Sequence, residues 1–472
     1  MPSIEISPIT ADVCPQVQPS CPRVALLTPY TGGNLGDAAI QDAVIANLRR
    51  RMPGTEFLGI TLSDDNFLKQ HGAGAFPLLA APVWPPFRRN QEPNTAERCA
   101  NLSDHPARKN QAGAIRRVLR RVLVWLPFLK RARAGMAVVV GEILHSWEGY
   151  RVIRRQDLLI VSGGGQLDER WGGPWRLPFA VCKWALLARA ARVPCVLVSV
   201  GACQVTSWTA RRFFSSALRM CCYRSYRDAK TRAITASFWP CATQDSVVAD
   251  LAFSLSDSEL PSPVRDIRTM ARGRPVIAVS PIAYGKPGNW PTPDPALHNR
   301  YVRQMAQVMG CLARRGYFVV LVCSSLGDDE GVIPNLMGLL DEETRRSLDG
   351  QIHFPKIQTW SDLVAVLSDV DYLIASRLHG AILGFLSGVP AVAISFHPKV
   401  DWLMDELHLT DYLLQIADFT AEEVLHALDQ IHVHRDAVLE RIRSYRQSII
   451  PASSQQYDYL AALALAHLQL RN

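Results

Sequence analysis

The feature that constrains the fold most is a repeated unit: a short apolar run, then glycine, then a helical pattern. The apolar runs in the first half of the chain cover residues 23–28, 157–162 and 195–200, and a glycine follows each within four residues. Short apolar runs bounded in this way predict buried strands, and helices between them predict parallel pairing. The first half therefore predicts a doubly wound α/β sheet.

The same pattern resumes further along the chain. Apolar runs at 275–280, 317–323, 372–375 and 391–395 predict strands, and helical spacing at 300–315 separates two of them. We therefore predict two Rossmann-like parallel-sheet lobes that face a cleft, where such sheets bind their ligands. The expected parts are a flexible tail at 1–22, an N-terminal lobe at 23–260, a C-terminal lobe at 270–430, and helices at 431–472 that pack back on the lobes.

An insert at about 85–155 interrupts the first lobe. Within it, residues 115–129 place apolar side chains at helical spacing, and the charged residues between 113 and 135 are all Lys or Arg. A basic amphipathic helix of this kind can dock on an anionic membrane surface. It can equally be a solvated helix that packs on its own core. Both interpretations stay open at this stage.

The net charge and the cysteines indicate which partners and which compartment to expect. Lys and Arg number 51 against 43 Asp and Glu, giving a net charge of +8, which favours anionic partners. The basic residues cluster in one insert without an interleaved aromatic pattern or a known binding module, so we expect no nucleic-acid binding. The eleven cysteines lack zinc-ligand spacing and resemble reduced thiols, so we expect no metal site and a cytoplasmic protein. No signal peptide or membrane-spanning run is apparent, which leaves peripheral membrane contact possible.

The first motif is Gly32–Asp37, between a predicted strand and a predicted helix. Glycines permit a tight turn there, and backbone N–H groups at a helix start favour an anion. Asp37 suits either of two roles at this position, a helix cap or a catalytic carboxylate.

The second motif is Ser162–Gly165, at the end of another predicted strand. A triple glycine lets a ligand approach the backbone, although a tight turn without a ligand would use the same residues.

The third motif is Ser376–Gly380, again where a strand ends and a helix begins. Arg377 is a fixed cation that suits phosphate or carboxylate, and His379 can exchange a proton near neutral pH. The alternative is that both residues only stabilise the ends of neighbouring helices.

These motifs together resemble the polysaccharide pyruvyl transferase family in content and order. The resemblance covers about residues 24–409 and includes Gly388–Pro390 and the segment Ile394–Lys399. The insert has no counterpart in the family, and Leu251 stands where the family usually has Pro. The motifs that carry the resemblance are Gly33–Asp37, Ser162–Gly165, Arg227–Asp228, Asp250–Phe253 and Ser376–Gly380.

Membership would imply a two-lobed fold like the GT-B glycosyltransferases, with phosphoenolpyruvate as co-substrate and no further cofactor. The acceptor would be a glycan or a lipid-linked oligosaccharide that gains a pyruvate ketal while phosphate is released. We expect His379 and Asp37 to share acid–base roles and Arg377 to neutralise the departing phosphate. The expected donor-binding residues are Gly33, Asn34, Gly36, Ser162, Gly163, Gly164, Gly165, Arg227, Ser376, Leu378 and Lys399.

Two other functions fit the same motifs. A GT-B glycosyltransferase would place a nucleotide-sugar diphosphate on the glycine turns and Arg377, and would release a nucleotide instead of phosphate. A non-catalytic binding protein in glycan assembly would keep the fold without the chemistry, although Arg377 and His379 argue against that reading. The acceptor sugar and the oligomeric state do not follow from the sequence.

Overall fold

The computed structural model describes residues 21–80 and 136–471, except positions 137, 171, 265, 288, 289, 291, 341 and 349 and the side chains of 343, 344 and 347. Two parallel sheets form the centres of two lobes, and helices cover both faces of each sheet. The prediction of two parallel-sheet α/β lobes is confirmed. The amphipathic helix expected at 113–135 lies outside the described residues.

The sheet of the N-terminal lobe has seven strands in the order β3-β2-β1-β4-β5-β6-β7, all paired in parallel. Two central strands, β4 and β5, are buried on both faces, as continuous apolar runs require. The strands are β1 (Arg23–Leu27), β2 (Glu56–Thr61), β3 (Gly74–Pro77), β4 (Leu158–Ser162), β5 (Cys195–Val200), β6 (Tyr223–Tyr226) and β7 (Ser246–Val247). The helices are α1 (Leu35–Arg51), α2 (Asp64–His71), α3 (138–153), α4 (Leu177–Ala190), α5 (Trp208–Met220) and α6 (Ala229–Ala236).

The sheet of the C-terminal lobe has six strands in the order β10-β9-β8-β11-β12-β13, again all parallel. The strands are β8 (Val276–Ser280), β9 (Phe318–Leu321), β10 (Ile352–His353), β11 (Tyr372–Ala375), β12 (Ala391–Ser395) and β13 (Leu413–Gln415). The helices are α7 (Asp266–Ala271), α8 (Pro295–Arg314), α9 (Ile333–Leu339), α10 (Glu342–Leu348), α11 (Trp360–Leu367), α12 (Leu378–Leu386), α13 (Pro398–Glu406), α14 (Ala421–Val433) and α15 (Arg435–Arg471).

The two lobes meet at the loop before α1 and the loop after β9. Asn34 and Ser325 form an antiparallel bridge. The Leu326 N–H donates to the Gly33 carbonyl over 2.7 Å, and the Leu35 N–H donates to the Ser324 carbonyl over 3.0 Å. These bonds hold the carboxyl ends of the two sheets towards each other.

The last helix, α15, returns to the N-terminal lobe. Arg51 of α1 pairs with Asp458 over 2.6 Å, and the hydroxyls of Tyr223 and Ser225 donate to the Gln456 side chain over 3.1 Å and 2.5 Å. The fully buried Tyr457 lies beside them and packs within the main apolar core. A helix that follows the second lobe therefore becomes part of the first.

Helix α3 presents apolar side chains to solvent. Val139, Ile143, Leu144 and Trp147 are each more than half exposed. In the part of the chain that the structure describes, no helix combines the length and the apolar character needed to cross a membrane.

Candidate functional site

A cleft of about 1250 Å³ lies between the lobes and is lined by loops at the carboxyl ends of both sheets. The N-terminal lobe contributes the loops after β1, β2, β3, β4 and β6, and the C-terminal lobe contributes those after β8, β9, β11 and β12. This is the ligand-binding edge of open α/β sheets. The predicted motifs of both lobes therefore meet in one place.

The start of α1 forms the floor of the cleft. The Asn34 side chain caps this helix and accepts from the N–H groups of Gly36 and Asp37 over 3.1 Å and 3.4 Å. Its amide also donates to Asp37 Oδ2 over 2.8 Å. Asn34, and not Asp37, is thus the helix cap, and the Asp37 carboxylate faces the cleft.

The glycine turn after β4 lies directly against this carboxylate. Gly163 and Gly164 have φ values of +43° and +64°, in the left-handed region that favours glycine. A Cβ on Gly164 would lie 3.2 Å from Asp37 Oδ1, and one on Gly165 would lie 3.2 Å from Lys399 Nζ. The turn lets groups from both lobes approach the same stretch of backbone.

His379, at the start of α12, crosses the cleft to the N-terminal lobe. Its ring packs on Gly36, where a Cβ would come within 2.0 Å of the His379 Cγ. Its Nε2 lies 3.7 Å from Asp250 Oδ2, which is ion-pair distance and longer than a hydrogen bond, and it has no hydrogen-bond partner among the described residues. His379 is therefore held in place by packing and by one carboxylate.

Asp250 is a buried carboxylate that organises this part of the site. It accepts from the Ala252 N–H over 3.1 Å and lies 3.4 Å from Arg227 Nη1. Burial alone would raise the pKa of Asp250, but His379, Arg227 and the Ala252 amide together lower it to about 2. Asp250 therefore stays ionised at neutral pH.

The pKa of Asp37 is shifted upwards, opposite to that of Asp250. Burial raises its pKa, the negative charge of Asp250 raises it further, and the positive groups of His379, Lys399 and Arg227 only partly oppose this. Two carboxyl groups with pKa values pushed apart are the pattern of an acid–base pair. Asp37 is thus the carboxyl group that can hold and release a proton here.

Arg227 and Lys399 supply positive charge from opposite lobes. Arg227 is 7% exposed, and its Nη2 has no hydrogen-bond partner among the residues that the structure describes. Within the same part of the chain, no ion pair or side-chain hydrogen bond engages Lys399 Nζ. Both side chains line the cleft, so they can bind an anionic ligand.

The start of α13, which carries Lys399, is held by His397. The His397 side chain caps α13 by accepting from the Lys399 N–H over 3.1 Å, and its Nε2 lies 3.7 Å from the Cys203 Sγ of the other lobe. Burial, together with the charge of Lys399 and Arg170, lowers the pKa of His397 to about 3. His397 is therefore a neutral cap that positions Lys399.

Arg377 is arranged differently from these cations. Its Nε and Nη2 both bind the fully buried Asp329, with 2.9 Å for the second bond. Asp329 in turn accepts from the Ala283 N–H over 2.9 Å. Arg377 lines the cleft, but much of its hydrogen-bonding capacity is used inside its own lobe.

The other predicted residues divide into two groups. Gly33 and Leu378 line the cleft. Ser162 and Ser376 are fully buried, and the Ser376 hydroxyl bonds with that of Tyr301 over 2.8 Å, so these two serines lie behind the cleft wall.

Several residues of the site were not among those predicted. Asp250 belongs to one of the motifs that carried the family resemblance, and this was the available signal. Asp329 has no local signature, because its role depends on a contact with Arg377, 48 residues away. His397 lies in the segment Ile394–Lys399 that resembled the family, but its contact with Cys203 across the cleft is set by the fold.

Comparison with known proteins identifies a family whose model matches most of the chain. The model of a family described as polysaccharide pyruvyl transferase matches residues 34–398, a span that includes most of the cleft residues discussed above and ends one residue before Lys399. No curated protein matches the chain.

Solved structures share the fold at low identity. Anabaena HepE in complex with UDP and glucose is 14% identical with a TM-score of 0.50, and the match covers 92% of this chain and 97% of that one. UDP-GlcNAc 2-epimerase from Neisseria meningitidis, bound to UDP-GlcNAc, is 10% identical with a TM-score of 0.51, covering 93% and 99%. A glycosyltransferase from Rickettsia africae is 8% identical with a TM-score of 0.50, covering 94% and 99%. The predicted GT-B-like fold is confirmed, and these matches show the fold alone.

Proposed function

The chain belongs to the polysaccharide pyruvyl transferase family, and we propose that it transfers the pyruvyl group of phosphoenolpyruvate to a glycan acceptor as a ketal. The observation that carries this proposal is that Arg227, His379 and Lys399 line one cleft, with Lys399 against the glycine turn, beside two carboxyl groups whose pKa values are shifted in opposite directions. Phosphoenolpyruvate needs both parts of this arrangement. Its phosphate and carboxylate require cations, and its methylene carbon requires an acid.

Arg227 and Lys399 are the cations that we assign to donor binding, and Arg377 has a structural role. Arg227 has a buried, unpartnered Nη2, and Lys399 reaches Gly165 from the other lobe, so together they can bind the two anionic groups of the donor. Because Arg377 already binds Asp329 through two nitrogens, we assign it the role of holding the start of α12, and with it His379. This moves charge neutralisation from Arg377, where the motif suggested it, to Arg227 and Lys399.

The proton steps follow from the two carboxyl groups. Protonated Asp37 gives its proton to C3 of the donor, which makes C2 electrophilic. A first acceptor hydroxyl adds to C2, and His379 takes its proton while Asp250 stabilises the imidazolium. His379 then passes that proton to the bridging oxygen as the C2–O bond to phosphate breaks. A neighbouring hydroxyl closes the ketal and returns a proton to Asp37, so that one phosphate is released for each ketal formed.

The test is thermal stabilisation by phosphoenolpyruvate compared with a panel of UDP- and ADP-sugars. A ligand that binds only the folded protein raises the unfolding midpoint, by about 2.7 kcal/mol of stability at 100 times its Kd. We expect phosphoenolpyruvate to stabilise the wild type, Lys399→Ala to lose the effect, and Lys356→Ala to keep it. Lys356 is an exposed lysine of the same lobe that does not line the cleft.

The same experiment separates the alternatives. Stabilisation by a nucleotide sugar instead of phosphoenolpyruvate would identify a glycosyltransferase, the function that the fold alone also allows. Binding of phosphoenolpyruvate without release of inorganic phosphate, in the presence of each glycan tested, would favour a binding protein without catalytic function.

We also propose that the acceptor is presented at a membrane surface and that the protein is cytoplasmic. The exposed apolar side chains of α3 support membrane contact, since they follow directly after the basic segment at 113–135 in the sequence. Free cysteines within the described residues, including the neighbouring Cys195 and Cys221, support a reducing compartment.

A further inference from the structure

Three aromatic rings of the C-terminal lobe form one side of the cleft, and we call them the aromatic wall: Tyr284, Trp290 and Phe396. The Tyr284 centroid lies 4.9 Å from that of Trp290 and 5.2 Å from that of Phe396, and Trp290 and Phe396 are 5.5 Å apart. All three rings are partly exposed and line the same cavity as His379 and Lys399. None of them has a part in the chemistry proposed above.

Hydrogen bonds hold the backbone at Tyr284 and Gly285. The buried His298 donates from Nδ1 to the Tyr284 carbonyl over 3.0 Å, and the Asp294 N–H donates to the Gly285 carbonyl over 2.9 Å. Gly285 has a φ of +68°, and a Cβ there would lie 2.8 Å from the Asp294 carbonyl oxygen. Tyr284 and Gly285 are therefore tied to the start of α8, which fixes the position of Tyr284 in the wall.

The third ring connects the wall to the donor site. Phe396 follows β12 directly, and Lys399 comes three residues later, in the first turn of α13. On the facing side, Leu78, Leu79 and the Asp168-paired Arg170 line the cavity. A ligand on the wall would thus lie in a cavity that also contains apolar side chains, the Asp168-held Arg170 and the donor cations.

We propose that the aromatic wall binds a sugar ring of the acceptor glycan, an inference that rests on the proposed function. A pyranose has an apolar C–H face that can pack on an aromatic ring, and a hydroxyl edge that can reach His379 and Arg170. Phosphoenolpyruvate has two anionic groups and no extended apolar face, so the wall suits the second substrate better than the donor. The hydroxyls that react would be those at the end of the ring nearest Lys399.

The experiment is saturation-transfer NMR with the methyl glycosides of glucose, galactose, mannose and N-acetylglucosamine, and with UDP as the competing ligand. Concentrations of about 10 mM detect Kd values in the millimolar range. We expect at least one glycoside to receive saturation on its ring C–H protons, and Trp290→Ala to weaken its binding about tenfold or more. Trp208→Ala is the matched control, because Trp208 is 69% exposed on the other lobe and does not line the cleft.

Two further measurements make the result decisive. Thermal stabilisation by phosphoenolpyruvate should be unchanged in Trp290→Ala, and Trp290→Phe should restore much of the glycoside binding if the alanine variant is poorly folded.

Absence of saturation transfer to every glycoside with the wild type, or equal transfer with Trp290→Ala, overturns the inference. Transfer to UDP alone overturns it as well, since the wall would then stack a nucleobase. If glycosides bind at the wall but phosphoenolpyruvate does not bind the wild type, the sugar site stands and the proposed donor is wrong.

Discussion

Replacing Gly36 by alanine tests whether the position of His379 determines donor binding. Gly36 lies in the first turn of α1, and alanine is compatible with a helix and usually stabilises one relative to glycine. The new Cβ, however, would lie 2.0 Å from the His379 Cγ and 2.2 Å from its Cβ. The substitution is therefore favourable for the helix and unfavourable for the site.

The expected size of the effect follows from these distances. Carbon atoms pack at about 3.5–4.0 Å, so the ring must withdraw by about 1.5 Å and move away from the bridging oxygen of the donor, to which His379 passes a proton in the proposed mechanism. A hydrogen bond to a charged group is worth about 1.5–3 kcal/mol, which corresponds to a Kd for phosphoenolpyruvate higher by one to two orders of magnitude. Isothermal titration calorimetry measures this directly.

Gly141 provides the matched control. It lies in the first turns of α3, and nothing is within 4 Å of a Cβ placed there. We expect Gly141→Ala to bind phosphoenolpyruvate like the wild type and to unfold at the same or a slightly higher temperature. If Gly36→Ala, shown by its unfolding transition to be folded, binds the donor within about threefold of Gly141→Ala, a difference under about 0.7 kcal/mol, His379 does not hold the donor.

Four other outcomes can be checked. Lys399→Ala should weaken phosphoenolpyruvate binding and reduce its salt dependence, measured by calorimetry at two ionic strengths. Folding lowers the pKa of Asp250 from 3.8 to about 2, so its contribution to stability is present above pH 3.8 and is lost as the pH falls towards 2. In Asp250→Asn, the free energy of chemical unfolding should therefore depend less on pH in this range. Arg377→Ala leaves Asp329 buried and unpaired, and urea unfolding should show a loss of about 3–5 kcal/mol that is partly recovered when Asp329→Ala is added. Trp147→Ser should reduce co-sedimentation with vesicles of anionic phospholipid, whereas unchanged binding would exclude α3 from the membrane contact.

The strands that could be predicted are those made of continuous apolar residues. The predicted strand at 195–200 coincides with β5, and those at 372–375 and 391–395 coincide with β11 and β12, because strands buried on both faces need apolar side chains throughout. In contrast, β6 reads Tyr-Arg-Ser-Tyr and β7 has only two residues. β7 is an edge strand and β6 lies next to it. Both form because a neighbouring strand offers hydrogen bonds, and no local sequence pattern predicts this.

The sequence by itself determined the two parallel-sheet lobes, the family, and the glycine turns that end β1 and β4. These depend on local patterns, since apolar runs and glycines act through the residues next to them in the chain. Only the tertiary structure decided which charged residues bind partners inside their own lobe and which keep nitrogens available in the cleft. Arg377 and Arg227 are both arginines beside strand ends, yet the first binds Asp329, 48 residues away, and the second keeps a nitrogen without a partner in the described cleft. The pKa values of Asp37 and Asp250 likewise move apart because of burial and of charges from the opposite lobe, which only the folded chain brings within reach.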